Sequence, residues 1–506
     1  MVLATTLSVA LLGVDGYLVE VEADLAAGLP GMTLIGLPDA TLHEARDRIR
    51  AAVVNSGQGW PARRITVGLS PAWRPKRGSG FDLAIATAVL TAAGAIPGDA
   101  LGGTVLLGEL GLDGRVRPVS GTLPAVLAAA AGGIERVIVP VGNAREASLV
   151  PGLAICAVDS LRGLIAQLCG EPPADAAVPE VAVDPPHAAN RPDLADVVGQ
   201  LEARWALEIA AAGGHHLFLK GPPGVGKTLL AERLPGLLPA LQPRDALEVT
   251  AVHSVAGALR PDQPLITTPP YAAPHHTATV PALIGGGSGL AKPGAASMAH
   301  RGVLFLDEAP EFASGCLDAL RQPLESGEVY LSRSGGTVRY PARFTLVLAA
   351  NPCPCAKAAE VCECTPEGRR RYANRLSGPL LDRIDLVVSL APPSREDLLA
   401  ERPFTESSTV VAGRVECARA IAAEVFAGRP WTLPSEIPGR DLRAAFAPAG
   451  GTSAVLEPAL RRGALSPRGL DRTLRVAWTL AFCAGRTRPG VPEVQAAVGL
   501  RLGETA

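Results

Sequence analysis

Aromatic side chains are scarce in this chain: Phe, Trp and Tyr together make up 4% of its 506 residues. That excludes a broad base-stacking platform as its main binding device. Charge of one sign is also missing. The formal net charge is −2, which excludes a uniformly basic nucleic-acid-binding surface and leaves any DNA contact to local patches. No apolar run is long and uncharged enough to span a bilayer, so no membrane partner is expected. The apolar stretch Val2–Val14 has no basic residue before it and runs on into Tyr17–Glu22, which alternates like a strand, so it does not read as a signal peptide. The expected location is the cytoplasm, where nine Cys, four of them bunched, point to metal binding rather than disulfides.

What the chain has in quantity is apolar residues, 48% against 19% charged, enough for a well-filled core. Its length predicts two or three domains. The stretch that organises the rest is Gly221-Pro222-Pro223-Gly224-Val225-Gly226-Lys227-Thr228, which follows a short apolar run ending at Lys220 and precedes Leu229–Arg233, a helix start. This is G-x-x-x-x-G-K-T in the strand–loop–helix setting that the motif requires. Its glycines let successive backbone N–H groups turn inward around a phosphate, and the helix N-terminus adds a favourable dipole. Lys227 can then reach the β- and γ-phosphates of ATP, and Thr228 can offer a hydroxyl to Mg²⁺.

Gly302–Glu308 supplies the second half of an ATPase: a continuous apolar run, fit for a parallel strand buried on both faces, with two acids at its C-terminal end. Asp307 is placed to hold Mg²⁺ and Glu308 to polarise the attacking water. Phe344–Ala350 is a further buried strand, ending in Asn351 where a γ-phosphate sensor would sit. Before it, Val329–Arg333 and Thr337–Tyr340 flank Ser334-Gly335-Gly336 as a hairpin, whose Arg333 and Arg339 fit either phosphate contacts or solvated charges. An insertion spans about 251–300; its His275-His276 pair reads as a structural or substrate-facing loop, because adjacent side chains rarely converge on one ion, and Gly285–Gly289 as a mobile loop. Directly after Asn351, Cys353, Cys355, Cys362 and Cys364 have the number and softness for tetrahedral Zn²⁺, although one-residue gaps are tighter than usual and reduced thiols are the other reading. Arg369-Arg370-Arg371 fits a nucleic-acid patch or an exposed helix face equally. In Ser377–Asp385, Arg383 can reach a neighbouring subunit's γ-phosphate, which would make rings functionally necessary.

The divisions that follow are 1–170, a region of alternating strands and helices; 171–192, a Pro- and Ala-rich linker; 193–392, the ATPase core; and 393–506, a helical lid. In the first, Leu7–Leu12 and Tyr17–Glu22 read as a hairpin, Asp39–Ser56 as an amphipathic helix and Phe81–Ala93 as a buried one. In the last, Ser466-Pro467-Arg468-Gly469 opens a long helix, which puts Arg468 at its N-terminal end as a second phosphate sensor or a surface charge. The strand and helix order around Gly108–Val119 and Ala128–Ala130 resembles the Lon-type protease fold. Where that fold carries its catalytic Lys this chain has Leu123, and Ser79 has no evident base in the sequence, so an α+β Lon-protease-like (S5-like) domain without a Ser-Lys dyad is expected.

Across the whole chain the motifs resemble the ComM/YifB family of magnesium-chelatase-like AAA+ ATPases. The residues that carry this are Gly28–Gly31 with Gly36–Asp39, Pro274–Thr277, Val303–Glu308, Asn351–Cys355, Ser377–Asp385 and Ser466–Gly469. The resemblance implies an α/β P-loop parallel-sheet core with a helical lid, and an ATPase using Lys227, Thr228, Asp307, Glu308, Asn351, Arg383 and Arg468. It also implies an insertion and a hairpin facing the pore of a homo-hexamer, and DNA as the partner for helicase or branch-migration work. The alternative is a chelatase-like or chaperone-like remodeller of a protein. One departure is Trp478, where Arg is expected in the last long helix.

Overall fold

The computed structural model describes residues 2–37, 39–171, 192–260, 262–287, 291–333, 336–357, 362–392, 394 and 405–503. The linker expected over 171–192 lies outside the described residues apart from its two ends, as do Ser288-Gly289 and Ser334-Gly335. Two sheets organise the described chain. The N-terminal one has seven strands in the order Gly31–Ile35, Arg64–Ser70, Asp15–Ala26, Val2–Leu12, Thr104–Leu106, Arg136–Pro140 and Ala154–Val158. Val2–Leu12 and Asp15–Ala26 pair antiparallel along their whole lengths, so the first hairpin begins at Val2 rather than at Leu7 as the sequence suggested. The apolar positions Val19, Val21, Ala23 and Leu25 alternate into the core, which is why the second strand holds this register. The helix Asp82–Ala92 is buried almost all round against this hairpin, and Ala40–Asn55, capped by the Asp39 carboxylate, packs beside it.

The second sheet is a five-stranded, all-parallel one in the order Tyr271–Ala272, Val303–Leu306, Thr345–Ala350, Leu217–Lys220 and Leu386–Ser389. The strands Val303–Leu306 and Thr345–Ala350 are buried at every position, as helices on both faces require. The observed core is therefore α/β with a P-loop. The helix Pro243–Ala256 ends at Gly257, whose φ of +70° suits the left-handed C-cap, so residues 251–256 belong to this helix. The helices Ser408–Val425, Pro467–Cys483 and Val491–Leu502 share one apolar cluster with the P-loop helix Lys227–Leu237. Trp478 lies inside that cluster, edge-on to Phe446 and donating its indole N–H to the Phe446 carbonyl at 2.9 Å, so it is a packing residue of the lid.

A buried polar cluster ties the lid to the sheet. Asp385, 1% exposed at the foot of the last strand, accepts from Arg472 of the lid at 2.7 Å and from the His216 backbone N–H at 3.0 Å. His215 Nδ1 lies 3.6 Å from the same carboxylate and its Nε2 is 2.6 Å from Thr479. The N-terminal sheet is joined to the core elsewhere. Glu146 accepts from Ser254 and from the Leu123 backbone, the Gly121 N–H donates to the Ser254 carbonyl, and the turn at Gly13 presses on Val338 and Arg339 of the core hairpin.

Candidate active site

Three parallel strands end at one place, and each delivers a side chain there. Leu217–Lys220 leads into the loop 221–226, and the helix Lys227–Leu237 starts from Gly226, which adopts φ +92°. Gly224, at φ +79°, has open space where a Cβ would project, so the loop presents an uncovered face to the solvent side. Lys227 is folded back on the loop: its Nζ donates to the carbonyls of Gly221 at 2.7 Å and Pro222 at 2.8 Å and to Asn351 Oδ1 at 3.0 Å. Burial lowers its pKa, while the charges of Asp307 and Glu308 act in the opposite sense. Thr228 Oγ1 donates to Asp307 Oδ2 at 2.8 Å. A hydroxyl and a carboxylate are hard oxygen donors of the kind Mg²⁺ prefers, and their convergence beside the loop fits that ion.

Glu308 follows at φ +50°, a left-handed conformation that costs a non-glycine residue energy, and its backbone N–H is held by Asp307 Oδ1 at 2.9 Å. Its carboxylate is held by a residue that sequence reasoning left outside the site. His276 Nδ1 lies 3.2 Å from Glu308 Oε2, and the ring of His275 packs on that of His276 with centroids 4.1 Å apart. One of the two His thus faces the Glu308 carboxylate, and the other stacks on it. The sheet explains this, because Tyr271–Ala272 pairs with Val303–Leu304 and delivers the following turn beside the end of that strand. Gln200 is a second residue the sequence did not single out. From a left-handed backbone it bridges the loop carbonyl of Val225 at 3.2 Å and that of Ala391 at 2.6 Å.

Lys227, Thr228, Asp307, Glu308 and Asn351 are thus brought together, and Gly221, Pro222, Pro223, Gly224, Val225 and Gly226 form the loop beneath them. Arg383 and Arg468 are not part of this group. The Arg383 side chain is 7% exposed, paired with Glu325 and donating to the Pro379 carbonyl at 2.5 Å, so it faces inward rather than offering itself at the surface. Arg468 is exposed in the first turn of the lid helix, which Ser466 caps through the Gly469 N–H at 3.0 Å. Immediately beyond Asn351, the sulfurs of Cys353, Cys355, Cys362 and Cys364 lie within 4.8 Å of one another, with Cys353 3.3 Å from Cys355 and 3.4 Å from Cys362. Two thiolates on one tetrahedral Zn²⁺ stand roughly 3.8 Å apart, given Zn–S bonds of about 2.3 Å, so the cluster fits that ion. The basic run occupies the helix Pro366–Ala373, where Arg369 approaches Cys362 at 3.5 Å and Arg371 pairs with Glu367. In the N-terminal sheet, Ser79 Oγ does have a partner, donating to Glu109, and Leu123 is fully buried.

Comparison with known proteins places the whole chain. Family models match residues 193–398 (magnesium chelatase, subunit ChlI), 21–143 (subunit ChlI of Mg-chelatase) and 405–501 (magnesium chelatase, subunit ChlI C-terminal). An uncharacterized protein of Mycobacterium tuberculosis is 54% identical over 99% of both chains. The protein YifB of Escherichia coli is 42% identical over 93% of this chain and 92% of its own. The competence protein ComM of Haemophilus influenzae is 41% identical over 99% of this chain and 98% of its own.

Proposed function

This chain belongs to the ComM/YifB family of magnesium-chelatase-like AAA+ ATPases, and from that membership we propose that it is an ATP-driven ring motor acting on DNA, of the helicase or branch-migration class. The observation that carries the hydrolysis is the convergence of Lys227, Thr228, Asp307, Glu308 and Asn351 at the strand ends. The direction toward DNA is supported by 41% identity, along nearly the full length, to a protein named for competence.

The phosphates of ATP are received by the loop N–H groups and by the positive end of the Lys227–Leu237 helix. Lys227 exchanges its loop carbonyls for phosphate oxygens, which keeps the positive charge where negative charge grows in the transition state. Thr228 and Asp307 would hold Mg²⁺, which when bound neutralises phosphate charge. Glu308 accepts the proton of the attacking water, and Asn351, already bonded to Lys227, orients that water or the γ-phosphate. The products are ADP and phosphate.

We place the motor in a homo-hexamer. In that arrangement Arg383 leaves Glu325, with which it pairs in the single chain, for the phosphate of the neighbouring subunit, and Arg468 closes from the lid. The N-terminal region, 1–170, is read as a Lon-protease-like fold kept as a scaffold: a Leu at 123 supplies no base, and a lone Glu109 on Ser79 does not make a Ser-Lys dyad. The four Cys are read as a structural zinc knuckle that braces the segment after Asn351. The purified chain is expected to release about one equivalent of zinc when its thiols are blocked by a mercurial, and Cys353→Ser with Cys362→Ser is expected to lose it. A chain that carries no zinc after metal-replete expression would remove the knuckle from the account.

The test of the proposed function is strand displacement from a forked duplex and branch migration of a four-way junction. The wild type is expected to be active with ATP, and Lys227→Ala inactive. Hydrolysis that proceeds at full rate without moving any DNA strand would sink the motor reading.

A further inference from the structure

The N-terminal sheet and the core hairpin enclose a cleft of about 480 Å³, away from the strand ends that carry the hydrolysis residues. Its volume is inside the roughly 300–1,000 Å³ usual for ligand sites. One wall is a three-layer stack: the Arg74 guanidinium lies 4.8 Å from the Tyr17 ring centroid and 4.6 Å from that of Trp73. Tyr17 is fixed by donating its hydroxyl to the Pro75 carbonyl at 2.5 Å. Trp73 closes the stack with its outer face free, at 71% exposure, whereas Trp431 and Trp478 are 8% and 4% exposed. The opposite wall is the return strand of the hairpin, with Thr337 and Arg339. Arg339 pairs there with Asp15 at 3.4 Å and Glu328 at 3.1 Å, half-exposed contacts of the kind that contribute little and are readily exchanged.

An apolar ring left bare in a chain so poor in aromatics costs solvation unless something covers it, and the groups around it specify the cover. A flat π-system stacks on Trp73 and extends the alternation of ring and guanidinium, and an anion beside it draws on Arg74 and Arg339. A nucleobase with its phosphate has both properties. We infer that this cleft holds a single strand of nucleic acid, with one base stacked on Trp73 and the adjoining backbone phosphate on Arg339. The inference rests on the DNA reading above and adds to it where on the chain the strand lies.

The position also links binding to hydrolysis. The hairpin strand Gly336–Pro341 passes through only three residues into Thr345–Ala350, and Asn351 directly follows that strand. The other wall is anchored through the Gly13 turn against Val338 and Arg339. A strand seated between the walls therefore bears on the same chain segment that positions the asparagine.

The test uses the full chain with a non-hydrolysable ATP analogue and a fluorescein-labelled oligothymidylate of about 20 nucleotides, with affinity read by anisotropy at roughly 50 and 200 mM salt. Trp73→Ala is expected to bind at least about tenfold more weakly, and Trp73→Phe, which keeps a stacking face, to bind close to the wild type. Arg339→Ala is expected to weaken binding and to flatten the salt dependence by about 0.7 in log–log slope, one phosphate's share. Quenching of tryptophan fluorescence by the oligonucleotide is expected in the wild type and to be largely lost in Trp73→Phe. Because Trp73 is exposed, the melting temperatures of the variants check that the fold is kept. Undiminished binding by Trp73→Ala, with the wild type binding tightly, would overturn the cleft and leave the DNA motor standing. Failure of the wild type to bind any oligonucleotide would overturn the DNA reading itself.

Discussion

Replacing Glu308 by Gln lowers ATP hydrolysis about 10²–10⁴-fold, the range that loss of a positioned general base produces, while nucleotide binding persists. The two halves of that expectation come from different parts of the site. Binding rests on the loop 221–226, Lys227 and Thr228; the hydrogen bonds of Lys227 and Thr228 run to loop carbonyls, Asn351 and Asp307 rather than to the Glu308 side chain. Hydrolysis needs the carboxylate, since an amide in the same place cannot take the proton of water. The backbone that carries it is already specified by φ +50° and by the Asp307 contact, so the substitution leaves the turn as it is. His276→Ala supplies the graded comparison. His276 acts through Glu308 as a positioning residue, so its loss should slow turnover by about tenfold, less than loss of the base, with nucleotide binding kept. Equilibrium nucleotide binding and single-turnover hydrolysis on the two variants check this; a Glu308→Gln enzyme that keeps a tenth or more of the wild-type rate would remove Glu308 from its role.

Replacing Asp385 by Ala destabilises the joint between sheet and lid by about 3 kcal/mol, because it leaves the largely buried Arg472 guanidinium, 17% exposed, without its carboxylate. Arg472 and the His216 N–H lose their acceptor together, and His215 loses the charge 3.6 Å away. For a unit of this size that is a fall of on the order of 10 °C in the melting transition. Arg472→Ala added to Asp385→Ala should cost little more, since the partner is already gone. The same cluster predicts how stability varies with pH. Burial alone would raise the Asp385 pKa, but the Arg472 charge and the neighbouring His215 and His216 outweigh it and hold the carboxylate well below its ordinary 3.8. Its contribution is therefore complete above about pH 4 and is lost only as pH falls through that lower folded value. Burial takes His216 down to about 4, with Asp385 opposing, and its Nδ1 accepts the Leu346 N–H at 3.0 Å. The folded state thus holds His216 neutral, and stability drains away as pH falls from about 6.5, the unfolded value, toward 4. Melting scans across that window should show the decline in the wild type, and His216→Asn, which keeps an acceptor without a titrating ring, should flatten it. A wild type equally stable at pH 7 and pH 4.5 would contradict the assignment.

The sequence was most readable where chemistry requires a fixed spacing on a buried strand. Val303–Leu306 and Thr345–Ala350 are covered on both faces, so they read as unbroken apolar runs, and the residues just past their ends, Asp307, Glu308 and Asn351, fall at the strand termini where the structure puts them. The P-loop was readable for the same reason. What stayed hidden depends on which elements lie side by side. Nothing periodic marks Tyr271–Ala272, a strand of two residues, yet its pairing with Val303–Leu304 is what sets His276 against Glu308. Arg383 shows the converse. Its sequence setting gives a charge for a neighbouring subunit, but Glu325, far away in the chain, holds it inward in the single subunit. The cluster of His215, Asp385, Arg472 and Thr479 joins residues up to 264 positions apart and leaves no local pattern. Element ends were less readable where pairing or a single cap sets them: Val2–Thr6 belong to the first strand because the second strand pairs with them, and Ala251–Ala256 belong to a helix that only Gly257 ends.

The most direct test of the central claim, that this chain spends ATP on DNA, is its steady-state ATPase rate with and without single-stranded and forked DNA at low and high salt. The expected result is stimulation by DNA that fades as salt rises, because the contact runs through phosphates, and that is abolished in Glu308→Gln. ATP hydrolysis that no DNA accelerates at either salt concentration would contradict it and would turn the reading toward a machine that remodels a protein partner.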